Sequence, residues 1–193
     1  MKDKPYFAVI YMFVITAFFS AVLIGFSRFT RQRVESNVQI NFEKAVLEAF
    51  PEIEFETNQQ IHAIFTDHFG WNESVGAYIY RKEGQLEGYA IPFAGQGFWD
   101  DIEGVIGIDS DKRTIRGLAF YAQKETPGLG ARIGKTLEDG PEPVGIVPSA
   151  QTLDENEVHA ITGATQTSIR LETLMNQDLR QWLDAMQNQE QTP

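Results

Sequence analysis

The sequence predicts an α+β fold: an antiparallel sheet packed with helices and preceded by one N-terminal transmembrane helix. Three patterns carry that expectation. Tyr6 to Phe26 holds no charged residue, and its 21 residues at about 1.5 Å of rise each reach about 30 Å, the thickness of a bilayer's hydrocarbon core. Two pairs of apolar runs flank turn signals between residues 75 and 121, the mark of β-hairpins. Helical spacing of apolar residues appears on either side of them, over 34–49 and 169–183.

The N-terminal run competes with a cleaved signal peptide. It is longer than the usual apolar region of about 7 to 15 residues and lacks a small-x-small cleavage site. Lys2 and Lys4 precede it while Arg28, Arg31 and Arg33 follow it, so the positive-inside rule does not set its orientation. Beyond it, Arg28 to Ala49 reads as a helix with Val34, Val38, Phe42, Ala45 or Val46, and Ala49 on one face and Pro51 soon after the end. Such a helix continues the membrane segment as a stalk. Residues 52–74 show no clear period, although Ile61, Ile64, Phe65 and Phe69 are core candidates.

Val75–Tyr80 and Leu86–Phe93 flank Lys82-Glu-Gly-Gln85 and read as one hairpin; Ile102–Asp109 and Thr114–Tyr121 flank Ser110-Asp-Lys-Arg113 and read as another. Four such strands make an antiparallel sheet whose apolar face the helices cover. The segment Ala94-Gly-Gln-Gly-Phe-Trp-Asp-Asp101 between the hairpins reads as a loop. Its Gly95-x-Gly97 is not a dinucleotide fingerprint, because a third glycine and the strand-turn-helix context are missing. Pro141, Pro143 and Pro148 surround the apolar run 144–147, which predicts loop with one more short strand. Ile169 to Leu183 reads as a helix with Ile169, Leu174 and Trp182 on its apolar face, and the Gln-rich stretch beyond Ala185 as a frayed tail.

Composition removes several chemistries. With no cysteine, the chain has no thiol nucleophile, disulfide, lipoprotein anchor, ordinary iron-sulfur ligation or c-type haem attachment. His62, His68 and His159 show no zinc-like spacing. From Val34 onward 26 acidic residues face 11 basic ones, a balance that repels nucleic acid and anionic lipid heads. Any redox chemistry therefore rides on a metal held by histidine and carboxylate, or on an organic cofactor.

Two stretches concentrate the residues that can hold one. Thr162, Gly163, Ala164, Thr165, Thr167 and Ser168 form a small, hydroxyl-rich turn ahead of the last helix. Such hydroxyls cap orphan amides, and the same amides with the helix dipole can seat a phosphate. Glu125, Thr126, Pro127, Gly128, Leu129 and Gly130 form the second stretch. Its glycines permit close approach and unusual dihedrals, and Leu129 can lie against a flat ring, although a tight structural turn uses the same residues. Phe98 and Trp99 either shield such a ring or fill the core. Lys124 beside the loop either favours anionic forms of a bound ring or sits in a solvated ion pair.

Thr162-Gly-Ala-Thr165 followed by Thr167-Ser168, together with Lys124-Glu-Thr-Pro-Gly-Leu-Gly-Ala131, resembles the FMN-binding subunits of the sodium-pumping NADH:quinone reductases and of the Rnf electron-transport complexes. The loop Gly95-x-Gly-Phe-Trp99 is similar to a third block of that family, and the similarity runs from about Leu86 to Met186. The resemblance implies covalent FMN, joined through its phosphate to Thr165 as a phosphoester by a separate flavin transferase with FAD as donor. Thr162, Gly163, Ala164, Thr167, Ser168, Glu125 to Gly130 and Trp99 are the implied cofactor-binding residues. It further implies an electron-transfer component of an ion-translocating NADH:quinone or ferredoxin:NAD complex, with the other subunits as partners and the domain outside the cytoplasmic membrane. Gly88–Phe93 and Gly117–Tyr121 look nearer the quinone-reductase type, whereas the short length suits the Rnf type.

The implied layout is a tail over 1–5, a transmembrane helix over 6–27, a helical stalk over 28–51, an FMN-binding domain over 52–186 and a flexible tail over 187–193. His159 stands where the family usually has an aspartate, six residues before the modified threonine. Two other readings follow: a structural or partner-binding module that has lost the flavin, and a stand-alone flavoprotein electron carrier.

Overall fold

A computed structural model of the chain describes residues 5–134 and 162–190. The run around Pro141–Pro148, the lead-in 158–161 and His159 lie outside the described residues. The chain divides into two units, Met1–Gln39 and Ile40–Pro193.

The described residues of the first unit belong to helix α1, Pro5–Glu48. Its described apolar residues between Tyr6 and Phe29 are exposed: Phe13 and Phe29 are 73% and 74% exposed. The stretch Ala8–Glu48 holds an 18-residue window of mean hydropathy 2.4 and is long and apolar enough to cross a membrane. A helix that is apolar on every side and buries none of it belongs in a nonaqueous solvent or against a partner.

In the second unit the last turns of α1 acquire a buried side. Ala45, Val46, Leu47, Ala49 and Phe50 are buried, while Val34 and Val38, expected on the same face, are exposed. The unassigned stretch 52–74 contains two elements. Helix α2, Asn58–His68, begins with a capping box in which Thr57 and Gln60 satisfy each other's backbone amides. Strand β1, Phe69–Asn72, follows directly. With β2 (Ala77–Lys82), β3 (Gln85–Gln96), β4 (Asp101–Asp109) and β5 (Ile115–Ala122) it makes a five-stranded antiparallel meander in sequence order. The α+β expectation holds, with one strand more than the two hairpins supply. Glu83 and Gly84 both have positive φ (53° and 80°), which gives the β2–β3 turn the twist a two-residue hairpin needs. Ala94 to Gln96, expected in the loop, belong to β3 and pair with Asp101–Glu103 of β4.

Alternation along the strands sorts the core into two layers, one on each face of the sheet. On one face Tyr89, Ile91, Phe93, Ile102, Ile106 and Ile108 meet helix α3, Thr165–Glu190. On the other, Tyr80, Ala90, Val105 and Ala119 meet Ala45 to Phe50 and α2, and Ile61 and Phe69 join them with Ile64 and Phe65 packed alongside. The buried side of α3 is Leu171, Met175, Leu179, Trp182 and Met186, a run of three- and four-residue steps. Ile169, expected there, is exposed; thirteen residues at about 100° each place it well over a quarter turn from Trp182. The helix also continues to Glu190, through residues expected to fray.

Two close approaches fix the layers. A Cβ on Gly95 would meet a Leu174 side-chain carbon at 1.9 Å, and Cβ atoms on Gly107 and Gly117, paired across β4 and β5, would meet the Ala49 carbonyl oxygen at 2.2 and 2.7 Å. Gly107→Ala should therefore lower stability by about 1–3 kcal/mol. Gly70→Ala, where nothing lies within 4 Å, should stay within about 0.5 kcal/mol; chemical denaturation of both variants checks the contrast.

A second test uses Tyr121, half-buried on the α1/α2 face. Burial and then the neighbouring Glu103 push its hydroxyl up to about 12 from its usual 10.0. The fold thus favours the neutral phenol, so this contribution is complete below about pH 10 and is lost as pH rises toward about 12. Thermal melts across that window should show a smaller loss for Tyr121→Phe than for the parent chain.

Candidate functional site

Three loops from distant parts of the chain meet at the N-terminal end of α3. The first is the β3–β4 turn, closed by the Gly97 amide donating to the Asp100 carbonyl at 2.9 Å. The second follows β5. Here Pro127 and Gly128 occupy the middle of a turn in which the Leu129 and Ala131 amides both donate to the Thr126 carbonyl at 3.1 Å. Gly128 has φ +77°, the left-handed value that the third position of a type II turn demands. A short 3-10 helix, Gly130–Gly134, carries the chain onward. The third is the turn Thr162–Ala164, with Gly163 at φ +85°. A Cβ on Gly163 would lie 3.0 Å from a Leu129 methyl, so the second and third loops touch.

Glu125 joins the three. The residue is buried, at 4% exposure. One carboxylate oxygen accepts from the Phe98 and Trp99 amides at 2.8 and 3.1 Å. The other accepts from the Thr167 hydroxyl at 2.7 Å. The Glu125 amide in turn donates to the Gln123 side chain at 2.8 Å. A buried carboxylate is tolerable because three donors replace its water. No side chain fits beside it: Cβ atoms on Gly97 and Gly130 would meet its oxygens at 2.4 and 2.8 Å.

This geometry separates the hydroxyls by task. Thr167 is turned inward onto Glu125, and the Ser168 hydroxyl donates back to the Ala164 carbonyl at 3.0 Å. Neither caps the helix. Ala164 stands immediately before the first helical residue, Thr165, and an alanine supplies no capping oxygen. Among the described residues, no acceptor is bonded to the amides of Thr165 and Gln166, and Thr165 is exposed at the surface beside Thr162 and Gly163. Exposed apolar groups flank the same region, among them Leu129, Ile169, Phe98 and Trp99. Phe98 and Trp99 pack edge to face at 5.2 Å rather than entering the core. Lys124 spans from the second loop to Asp100 of the first at 2.6 Å; that hydrogen bond holds the Asp100 carboxyl below its usual range and raises the Lys124 ammonium.

The arrangement fits a phosphorylated, planar ligand. Amides at a helix N-terminus that lack a capping side chain suit a phosphate, and an exposed hydroxyl at the first helical position is within the same turn. Leu129 and the Phe98–Trp99 pair offer flat apolar surface. The structure brings together every site residue the sequence singles out, Trp99, Glu125 to Gly130 and Thr162 to Ser168, but turns Glu125 and Thr167 into the interior. No sequence pattern points to Gln123 or Asp100. Gln123 acts through a bond to an amide two residues on and Asp100 through a side-chain bond to Lys124, contacts that leave no periodic or motif signal.

Residues 97–180 match the model of the FMN-binding domain family. The C subunit of the Na(+)-translocating NADH-quinone reductase of Yersinia pestis is 34% identical over 116 residues, covering 53% of this chain and 44% of the relative. Its counterpart in Pasteurella multocida is 33% identical over 104 residues, covering 47% and 40%. The chain thus spans less than half the length of these curated relatives. Among solved structures, the same subunit of the Na(+)-translocating NADH-quinone reductase from Parabacteroides distasonis superposes with a TM-score of 0.61 at 20% identity, over 80% of this chain and 96% of that one. The NqrC structure of Shewanella oneidensis gives 0.53 at 17% identity, over 76% and 96%. At these identities the structural likeness shows the fold.

Removing the central carboxylate should cost more than removing its charge. Glu125→Ala strands two amides and a hydroxyl in the interior and should destabilise the domain by about 3 kcal/mol or more. Glu125→Gln keeps an acceptor oxygen for the amides and should cost less; urea denaturation of both variants measures the difference.

Proposed function

We propose that the protein, whose residues 97–180 match the FMN-binding domain family, is a membrane-anchored electron-transfer subunit. It carries FMN on Thr165 in an ion-translocating NADH:quinone oxidoreductase of the kind its relatives are named for. The observation that carries this reading is the convergence of three separate loops beside the exposed Thr165, the first residue of a helix whose preceding residue, Ala164, supplies no cap. A core turn would bury that hydroxyl, and an ordinary helix start would carry a capping side chain at position 164, where this chain has alanine.

The residues have separable roles. Thr165 supplies the oxygen of the phosphoester: its hydroxyl gives its proton to the flavin transferase and replaces AMP on the FMN phosphorus of FAD. The first amides of α3 would hold the phosphate, and the helix dipole would favour its charge by roughly 0.3 to 1 kcal/mol where the site is exposed. Thr126, Pro127 and Gly128 shape the turn that presents Leu129, and Trp99 with Phe98 flanks the ring from the other loop. Bound FMN supplies one- and two-electron carriage. Thr162 and Gly163 give the transferase an accessible turn on which to act.

A covalent tether suits a fixed relay, because a carrier that never releases its cofactor passes electrons without re-binding it. Helix α1 is the membrane anchor, and the domain stands on the extracytoplasmic side. The similarity of the curated relatives favours the quinone-reductase complex over the ferredoxin:NAD complex. His159, in place of the family's usual aspartate, favours a second reading in which attachment is lost. Equal labelling of the parent chain and His159→Asp removes that reading, whereas labelling of His159→Asp alone establishes it.

The leading reading has a direct check. Produced together with a flavin transferase and run on a denaturing gel under ultraviolet light, the chain should give a fluorescent band that is absent from Thr165→Ala. A dark band from the parent chain contradicts it.

A further inference from the structure

We propose that Glu125 and Thr167 are a positioning pair for the attachment site, which fixes the Thr165 hydroxyl outward without itself touching the flavin. The inference rests on the reading of Thr165 as the attachment residue and assigns to its neighbours a task different from cofactor contact. Three observations lead to it.

First, both side chains are withdrawn from the surface where a cofactor would lie. Glu125 and Thr167 are 4% and 3% exposed, and they are bonded to each other at 2.7 Å. The remaining oxygen of Glu125 is taken by the Phe98 and Trp99 amides. Both carboxylate oxygens are thus engaged inside the protein.

Second, among the described residues the start of α3 has no local cap. Ala164 precedes Thr165, and the hydroxyls of Thr167 and Ser168 are used elsewhere. A helix end of this kind frays unless something holds it from outside. The bond from Thr167 to Glu125 spans 42 positions of sequence and grips the first turn from another loop. Residues two apart on a helix point about 200° apart. Pinning Thr167 inward therefore holds Thr165 outward.

Third, the same carboxylate fixes the loop that presents Trp99. One buried group thereby sets the spacing between the exposed indole, the Leu129 turn and the Thr165 hydroxyl. Gly97 and Gly130 leave no room for the carboxylate to shift, since a Cβ at either would already collide with it. The surface the transferase meets is preorganised before any flavin arrives.

The test compares Thr167→Val, which keeps the shape and removes the donor, with Thr167→Ser, which keeps the donor. Each full chain is purified in detergent without flavin. Two quantities are read: hydrogen exchange of the Ser168 amide, which closes the first turn onto Ala164, and the rate at which transferase and FAD add mass to the intact chain. In Thr167→Val, exchange should rise about tenfold and labelling should slow by roughly 100-fold. Thr167→Ser should restore both.

Parent-like exchange and labelling in Thr167→Val overturn the proposal, as does a Thr167→Ser chain that is as slow as Thr167→Val. If Thr167→Val fails to melt cooperatively, Thr167→Ala takes its place in the same comparison. A parent chain that takes no label refutes the attachment reading instead, while the exchange measurement still decides whether the pair holds the turn.

Discussion

A single buried carboxylate holds this site together. Glu125 lies where the β3–β4 turn, the loop after β5 and the first turn of α3 converge, and it satisfies donors from two of those segments while belonging to the third. A buried anion costs several kcal/mol unless donors surround it. The three loops must therefore close together or not at all. The glycines at 97 and 130, which read locally as turn formers, are better understood as space reserved for that side chain. The same constraint explains why hydroxyls crowd the approach to α3 without capping it. One is bonded to Glu125, one folds back on the helix, and Thr165 faces solvent.

The rest of the fold serves to bring these loops within reach. A five-stranded meander keeps sequence neighbours adjacent, so the β3–β4 turn and the end of β5 fall at one end of the sheet. Helix α3 returns across the sheet and is seated by Leu171, Met175, Leu179, Trp182 and Met186. Gly95 lets it approach β3 closely at Leu174. The opposite face is covered by the end of α1 and by α2, with Gly107 and Gly117 admitting the Ala49 backbone. Packing on both faces leaves the loops at the sheet's end as the place where chemistry can vary without disturbing the core.

Much of this is legible in the sequence because it rests on local pattern. The uncharged N-terminal run, the strands after residue 75, and the turns at Lys82–Gln85 and Ser110–Arg113 follow from period and turn chemistry. Strand β1 is not legible. It is four residues long, contains Gly70, and begins where α2 ends without a break, so neither the helical nor the two-residue period has room to show. The apolar face of α3 departs from expectation at one residue: Leu174 and Trp182 pack on the core, but the spacing of Ile169 does not return it to that side of the helix. At the site, the motif blocks mark which residues gather. Their orientation is beyond reach, because the inward turn of Glu125 and Thr167 depends on a contact across 42 positions.

Under the proposed function the protein would be a tethered carrier, its diffusion restricted both by a helix apolar enough to enter a bilayer and by a covalently held flavin. The most direct measurement is intact-protein mass spectrometry, followed by peptide mapping, of the full chain extracted from membranes of cells that make the transferase. The account predicts the mass of the chain plus one phosphoester-linked FMN, carried on the peptide that contains Thr165. An unmodified mass, or a flavin carried on any other residue, would contradict it.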